Sequence, residues 1–372
     1  MALLLINCGS SSLKFELREL GGGGRLAGDN IEGVTNHGEA TEEAISRLRE
    51  AGLLEQVEAA SHRVVHGGTR FVEPALIDDE ALEGLRRLAE LAPLHNERAV
   101  QAVEASRRLL GSDLPMVASF DTAFHAAMPE HSASYALPHE LAERHSIRRY
   151  GFHGLAHRYM AERYAELRGE DARLITLQLG AGCSAAAVAG GRSLDTSMGL
   201  TPLEGLVMAT RSGDVDPALP AFLEEHEGIG ADEAERILNR DSGLKGVSGR
   251  SGDMRGLLEL EAQGDSRAEL AIDLFCYRIR KYVGAYLAVL GGADAIVFGG
   301  GVGEHSPPIR SRICAGMGWC GLELDEEQNA LAMGKEMRID AGGPVEAWAL
   351  LVDEAQVMTR DAEALLGGRE GR

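Results

Sequence analysis

Residues 2–17 read Ala2-Leu3-Leu4-Leu5-Ile6-Asn7-Cys8-Gly9-Ser10-Ser11-Ser12-Leu13-Lys14-Phe15-Glu16-Leu17. Leu3 to Ile6 is an apolar run too short for a membrane span and suited to a buried strand. Leu13, Phe15 and Leu17 alternate with polar residues and so share one face of a second strand. Between them Gly9 lets the backbone bend and approach a ligand closely. Three serine hydroxyls and the main-chain N–H groups of the turn can hold anionic oxygens. Asn7 offers an oxygen to a metal ion, and Lys14 carries positive charge. The stretch predicts strand, phosphate-sized turn, strand, although by itself it also describes any hairpin with a polar turn.

Two later stretches repeat the motif. Leu174 to Val188 reads as a second strand-turn-strand with Gly180-Ala181-Gly182-Cys183-Ser184 at its turn, a faint echo that suggests internal duplication. A buried strand, Ala295 to Phe298, runs into Gly299-Gly300-Gly301-Val302-Gly303-Glu304. Three small-residue turns, each directly after an apolar strand and far apart in sequence, suit two domains gripping one nucleotide. Neither a Gly-x-x-x-x-Gly-Lys-Ser/Thr loop nor a dinucleotide-binding Gly-x-Gly-x-x-Gly in its proper context is present, which disfavours the usual phosphate-loop and hydride-transfer folds. Helices are predicted from Asp79 to Leu91 and through Val100 and Val103 to Leu110. A long one starts at Ser266, where Ser266 and Glu269 form a capping-box pattern, and stops at Gly291-Gly292. Gly21 to Gly24 reads as a flexible connection and Gly367 to Arg372 as a loose tail. Strands mixed with helices throughout place the fold in the α/β or α+β group.

The chain has 372 residues, 44% hydrophobic and 26% charged, enough to bury a substantial core divided between two domains. Its formal net charge of -21 repels nucleic acid and anionic membranes at long range, so neither is an expected partner and any anion site must be a local cluster of arginines. The five cysteines form no Cys-x-x-Cys pair, which fits reduced thiols better than zinc or disulfides. No apolar stretch approaches the about 20 residues of a spanning helix, and a cytoplasmic protein is expected.

Charged groups also sit beside apolar strands, in Ser61-His62-Arg63-Val64-Val65-His66-Gly67-Gly68, Met116-Val117-Ala118-Ser119-Phe120-Asp121-Thr122-Ala123-Phe124-His125 and Arg149-Tyr150-Gly151-Phe152-His153-Gly154. Taken locally, Arg63 reads equally as a structural salt bridge and His153 as a hydrogen-bonded core histidine. Asp121 is harder to dismiss, because a buried carboxylate needs a cation or several donors; it could hold a metal-bound water. Asp195 to Gly205, followed by Thr210-Arg211-Ser212-Gly213-Asp214-Val215-Asp216-Pro217, is too dense in hydroxyls, glycine and charge for a packing helix. Arg211 with Arg63 could neutralise a phosphoryl group in transit, while Asp214 and Asp216 read as turn and cap chemistry.

Taken together and in order, Asn7-x-Gly9-Ser10-Ser11-Ser12-Leu13-Lys14, His62 to Gly68, Pro93-Leu94-His95-Asn96, Phe120 to His125, Arg149 to Gly154, Asp195 to Gly205, Thr210 to Pro217 and Gly301-x-Gly303-Glu304 resemble the acetate kinases over nearly the whole chain. The resemblance implies an α/β, two-domain actin-like ATPase (ribonuclease H-like) fold with an interdomain catalytic cleft. An N-terminal domain of 1–125 plus 356–372 would be completed by the last helix, and 126–355 would form the nucleotide-binding domain. It also implies a homodimer, ATP/ADP and acetate as substrates, and Mg²⁺ as cofactor.

By the same resemblance, Asn7 and Glu354 are the magnesium-associated residues and Ser10, Ser12 and Lys14 lie near the phosphates. Arg63 and Arg211 bind acetate and the transferring phosphoryl group, His153 is a transition-state donor with His95 nearby, and Asp121 acts mainly through the metal and its waters. Val65, Leu94, Phe152 and Pro202 line a small pocket for the acetate methyl. Gln178 to Gly182 with Ser184, then Asp253-Met254-Arg255, then Gly301-Val302-Gly303-Glu304-His305 correspond to nucleotide-binding segments. The chemistry is coherent: a carboxylate titrates near ~4 and is already the nucleophile at neutral pH, so no general base is required. The task is to bring two anions together.

This sequence departs from the family pattern at Gln178-Leu179-Gly180-Ala181-Gly182, where His-Leu-Gly-Asn-Gly is usual, at His305 in place of Asn, and at Leu155-Ala156 in place of Thr-Ser. The first two bear on the phosphoryl donor, and pyrophosphate or another donor is the alternative they raise; the third repacks the surroundings of the site. Propionate is the neighbouring acceptor, because one methylene is worth only ~1–3 kcal/mol of discrimination. A nucleotide-gated binding protein of the same fold has no need of Arg63, Arg211, His153 and a methyl-sized pocket together.

Overall fold

The computed structural model describes residues 2–22, 24–91, 93–169 and 172–367, without the side chains of 90–95. The predicted roles of Leu94 and His95, and the tail beyond residue 367, therefore lie outside the described residues. The chain forms two compact units. The first holds 1–126, 153–155 and 353–372; the second holds 127–152 and 156–352.

The first unit is built on six strands, β1 (Ala2–Cys8), β2 (Ser12–Glu19), β3 (Arg25–Glu32), β4 (Val57–Val64), β5 (Ala75–Leu76) and β6 (Met116–Phe120), in the order β3-β2-β1-β4-β6-β5. β1, β4 and β6 run parallel; β2, β3 and β5 are antiparallel to their neighbours. The opening hairpin forms as its sequence predicts, Asn7 facing Lys14 in register, and Leu13, Phe15 and Leu17 are all buried. They join one core with Ala44, Ile45 and Leu48 from the helix His37–Glu50 and with Ala102 and Val103 from the helix Pro93–Leu110. Each large apolar side chain so buried contributes about 1.5–3 kcal/mol. Gly21 and Gly22 lie in the turn from β2 to β3, with left-handed backbone at φ 84° and 86°.

In the second unit, β7 (Arg173–Leu179), β8 (Cys183–Ala189), β9 (Arg192–Thr196), β10 (Ala295–Gly299), β11 (Met337–Arg338) and β12 (Glu346–Ala349) are ordered β11-β12-β10-β7-β8-β9. Read from β9, the directions are antiparallel, antiparallel, parallel, parallel, antiparallel, the same series as from β3 in the first sheet. The sequence echo is thus the leading hairpin of two sheets with one topology. Sequence similarity has faded because a buried strand requires only apolar residues of about the right size.

The long helix spans Ser266–Leu290 and ends at Gly291, whose φ of 66° is the left-handed cap the sequence predicts. Its first residue is Ser266 as expected, but the cap is not. Asp265, not Ser266, is the N-cap, accepting from the N–H groups of Arg267 and Ala268 at 2.9 and 3.1 Å. A carboxylate serves better than a hydroxyl there because it also meets the positive end of the helix dipole. The helix Asp79–Leu91 matches its predicted bounds, whereas the next begins at Pro93, before the apolar periodicity becomes visible. Among the described residues no helix is long and apolar enough to cross a membrane.

Candidate active site

Within each sheet the parallel strands deliver their C-terminal ends to one edge, where ligands of α/β proteins gather. In the first unit those ends carry Asn7 on β1, Arg63 on β4 and Asp121 directly after β6. Arg63 is the hub. Its Nε and one terminal nitrogen donate to the two oxygens of Asp121 at 2.9 and 2.7 Å, a bidentate fork. The other terminal nitrogen donates to Glu354 at 2.9 Å and to the Asn7 amide oxygen at 3.3 Å. The Asn7 amide nitrogen in turn donates to Glu354 at 3.2 Å.

Glu354 opens the helix Glu354–Gly367, which is anchored to the first sheet by a buried hydrogen bond from Ser119 to Asp361 at 2.8 Å. Burial raises the Glu354 carboxyl, with Arg63 opposing and Asp121 adding to the rise. The paired carboxylates raise Arg63 further, against its burial. The structural salt bridge considered for Arg63 is therefore real, and it binds the very residues expected to do chemistry.

Oxygen donors of this kind suit a hard divalent cation. Asn7, Asp121 and Glu354 gather three oxygen-bearing side chains around one guanidinium, a donor set whose chemistry matches that of such an ion.

Close packing fixes Asp121. Its backbone N–H donates to Val64 at 3.0 Å, and a Cβ at residue 154 would collide with its carbonyl oxygen, so only glycine fits there. The residue before that glycine, His153, has φ 55°, a left-handed conformation that an ordinary side chain adopts at a cost of order 1–3 kcal/mol. Neighbouring Cys8 has its thiol pushed up to about 12 by burial, so it is no nucleophile. Around the opening turn, the Gly9 N–H donates to the Ser12 carbonyl at 2.8 Å and Ser10 is exposed. Lys14 pairs with Glu16 at 2.9 Å. Val65 is half-buried.

In the second unit β7, β10 and β12 play the corresponding part. Gln178 on β7 lies level with Gly299 on β10, which brings Gly180 to Gly182 and Gly301 to His305 to adjacent strand ends. Glu304 folds back so that one carboxylate oxygen accepts from the N–H groups of Gly300 at 3.0 Å and Val352 at 3.1 Å. Arg310, fully buried, donates to the Gly303 carbonyl and to Asn329, each at 2.7 Å, and burial pulls it down to about 10. The side-chain oxygen of Gln178 is buried without a partner, and His305 is exposed. His157, deeply buried, bridges Thr176 and Ser184 at 2.7 Å each.

Asp253 caps the separate helix Met254–Ala262; there Met254 packs inside and Arg255 is exposed. Leu179 is buried, Ala181 exposed, Val302 half-buried, and Phe152 and Pro202 are buried.

Arg211 differs from Arg63. One terminal nitrogen donates to the Pro202 carbonyl at 3.0 Å and lies 3.5 Å from the Met208 sulfur; among the described residues no carboxylate pairs with it. Burial lowers its proton affinity, with only a small opposing influence from Cys183. Asp216 accepts from the Ala218 N–H at 2.8 Å, the turn chemistry its sequence suggests. Asp214 does more, accepting from the Gly205 N–H and from the Tyr282 hydroxyl at 2.8 Å each. Sequence reasoning missed Arg310 and Glu304 as braces because their partners are backbone atoms, which carry no residue signature, and for Arg310 also an amide side chain 19 positions away.

Comparison with known proteins agrees with this geometry. Residues 27–360 match the sequence profile of the Acetokinase family. The chain is 45% identical to an acetate kinase of Solibacter usitatus over 97% of each chain, and 44% identical to one of Chloroherpeton thalassium over 97% of this chain and 98% of the relative. Among solved structures it resembles the acetate kinase of Porphyromonas gingivalis (TM-score 0.92, 38% identity, 98% and 99% covered). A propionate kinase of Francisella tularensis is also similar (TM-score 0.90, 36% identity, 97% and 98% covered). The chain belongs to the acetokinase family, carboxylate-phosphorylating kinases with the actin-like ATPase fold.

Proposed function

We propose that this chain transfers the terminal phosphoryl group of ATP reversibly to acetate, giving acetyl phosphate and ADP by direct in-line displacement, with Arg63, Asp121, His153 and Arg211 as its catalytic residues. The observation that carries the reading is Arg211, a half-buried guanidinium to which no described residue supplies a counter-charge. Such a group is a ready seat for an anion. Acetate is ionised at neutral pH, so Arg211 and Arg63 need only hold it against the donor phosphate and spread the charge of a loose transition state. His153, held in its unusual backbone conformation, donates to the transferring group.

Asn7 and Glu354, with Asp121 beside them, would hold Mg²⁺, which when bound neutralises phosphate oxygens. Ser10, Ser12 and Lys14, with the small-residue segments Gln178 to Gly182 and Gly301 to His305 and with Asp253 to Arg255, bind the nucleotide. Val65 of the first unit and Phe152 and Pro202 of the second are the apolar residues proposed to meet the methyl group, with Leu94 and His95 as the remaining expected neighbours.

The test is acetyl phosphate formation trapped as the hydroxamate, with acetate, Mg²⁺ and ATP, and with propionate in a parallel arm. Product with acetate, and slower turnover of propionate, is expected. Faster turnover of propionate than acetate would make the chain a propionate kinase, and no product from either acid would overturn the reading.

A further inference from the structure

We infer that Arg149, Glu204 and Tyr135 form a positioning brace that sets the acyl-acceptor specificity of the enzyme by fixing Pro202 and Arg211 as one piece. The inference rests on the proposed roles of those two residues. One terminal nitrogen of Arg149 lies 3.1, 3.2 and 3.1 Å from the carbonyl oxygens of Thr196, Ser197 and Met198, three successive residues. Three carbonyl dipoles converging on one point repel one another, so the chain turns this way only around a cation. The second terminal nitrogen donates to Glu204 at 2.6 Å. The other Glu204 oxygen accepts from the Tyr135 hydroxyl, which itself accepts from the Leu200 N–H at 2.8 Å.

These side chains fill the space over Gly199, where a Cβ would collide with both the Glu204 carboxylate and the Tyr135 hydroxyl. The loop from Thr196 to Glu204 is thereby tied at both ends and its middle, and the next residue is held by the Gly205 N–H bond to Asp214 at 2.8 Å. Pro202 lies inside this tied loop, and its carbonyl is the oxygen that holds Arg211 at 3.0 Å. A shift of the loop therefore moves the wall of the methyl pocket and the anion-binding guanidinium together.

Such coupling predicts a particular kinetic signature. Loosening the brace alters acceptor binding and the choice between acetate and propionate, and leaves nucleotide binding alone. The measurement is steady-state kinetics on the full chain carrying Arg149→Met, Glu204→Gln or Tyr135→Phe, alongside thermal midpoints. We expect KM for acetate to rise about tenfold or more in Arg149→Met and Glu204→Gln, the acetate/propionate ratio of kcat/KM to change about threefold or more, and KM for ATP to stay within about twofold. Arg149→Lys, which keeps the charge but loses the fork, should recover part of the loss.

Tyr135→Phe removes a single hydroxyl and keeps the test open if the larger changes prevent folding. A lowered thermal midpoint with parental acetate KM and parental acetate/propionate ratio would overturn the brace. If Arg211→Ala keeps acetate-dependent transfer, the proposed function of Arg211 is what fails, a result separable from the first because it leaves the acetate/propionate ratio of the brace variants to be read on its own.

Discussion

Arg63 and Arg211 are expected to meet the same kind of substrate, yet their surroundings are opposite. Arg63 sits among Asp121, Glu354 and the Asn7 amide, which hold it firmly charged. Arg211 has a carbonyl and a thioether, and burial works against its charge. The first, whatever it does for substrate, is also the cation that pairs two carboxylates. The second is an incomplete pair whose missing half is the anion it is built to receive. The same residue type thus carries fold stability in one unit and latent binding energy in the other.

Unfolding by urea should separate them most clearly. Arg63→Ala leaves the buried Asp121 and the half-buried Glu354 without their cation and should cost about 3–5 kcal/mol, whereas Arg211→Ala removes a half-buried charge that no described carboxylate pairs and should cost little or even stabilise. Equal losses in both variants would break the comparison. Activity is the next largest effect: with fold intact, Arg211→Ala should lower kcat for acetyl phosphate formation by about 10²–10³, the range of one lost charge-stabilising donor. Millimolar acetate should raise the thermal midpoint of the parent and not of this variant, because only the parent binds the anion.

Per pH unit the smallest effect concerns two histidines of the first unit. His62, beside Arg63 on β4, is buried with neither ring nitrogen bonded and is pulled down to about 3; His66, also disfavoured by burial, falls to about 4. Unfolded, each takes up a proton near pH 6.5 that the native protein refuses. Their contribution is therefore complete above about pH 6.5 and is lost as pH falls towards 4 for His66 and towards 3 for His62, at up to about 1.4 kcal/mol per pH unit for each group. His62→Leu should flatten that acid limb by one proton in a pH series of urea midpoints. An unchanged slope would show that His62 finds a partner in solution.

How legible these features were depended on what made each contact. Strand β1, the turn after it and β2 could be read directly, since an apolar run followed by strict alternation leaves few other structures. Both ends of the long helix could be read, from Ser266 and Gly291, but the cap was assigned to the wrong residue because Asp265 and Ser266 are both good caps and only geometry chooses between them. Asp121 announced itself as a buried carboxylate, though nothing local said that Arg63, 58 positions earlier, would be its partner. Arg149 stayed hidden for a different reason: its acceptors are main-chain carbonyls and a glutamate 55 positions away, so its own neighbourhood shows only an arginine before a tyrosine.

The return of the chain to its first unit has a consequence for synthesis. Arg63 and Asp121 emerge from the ribosome before the second unit, but Glu354 and the helix that anchors Asp361 to Ser119 come only after it. At bacterial-scale elongation of about 5–20 residues per second, the N-terminal sheet waits on the order of ten seconds or longer for its closing element. Translation thus imposes a sequence of events on a site that equilibrium thermodynamics treats as simultaneous. A message truncated just before the codon for Asp353 would yield a chain with both sheets and with the charge cluster left open.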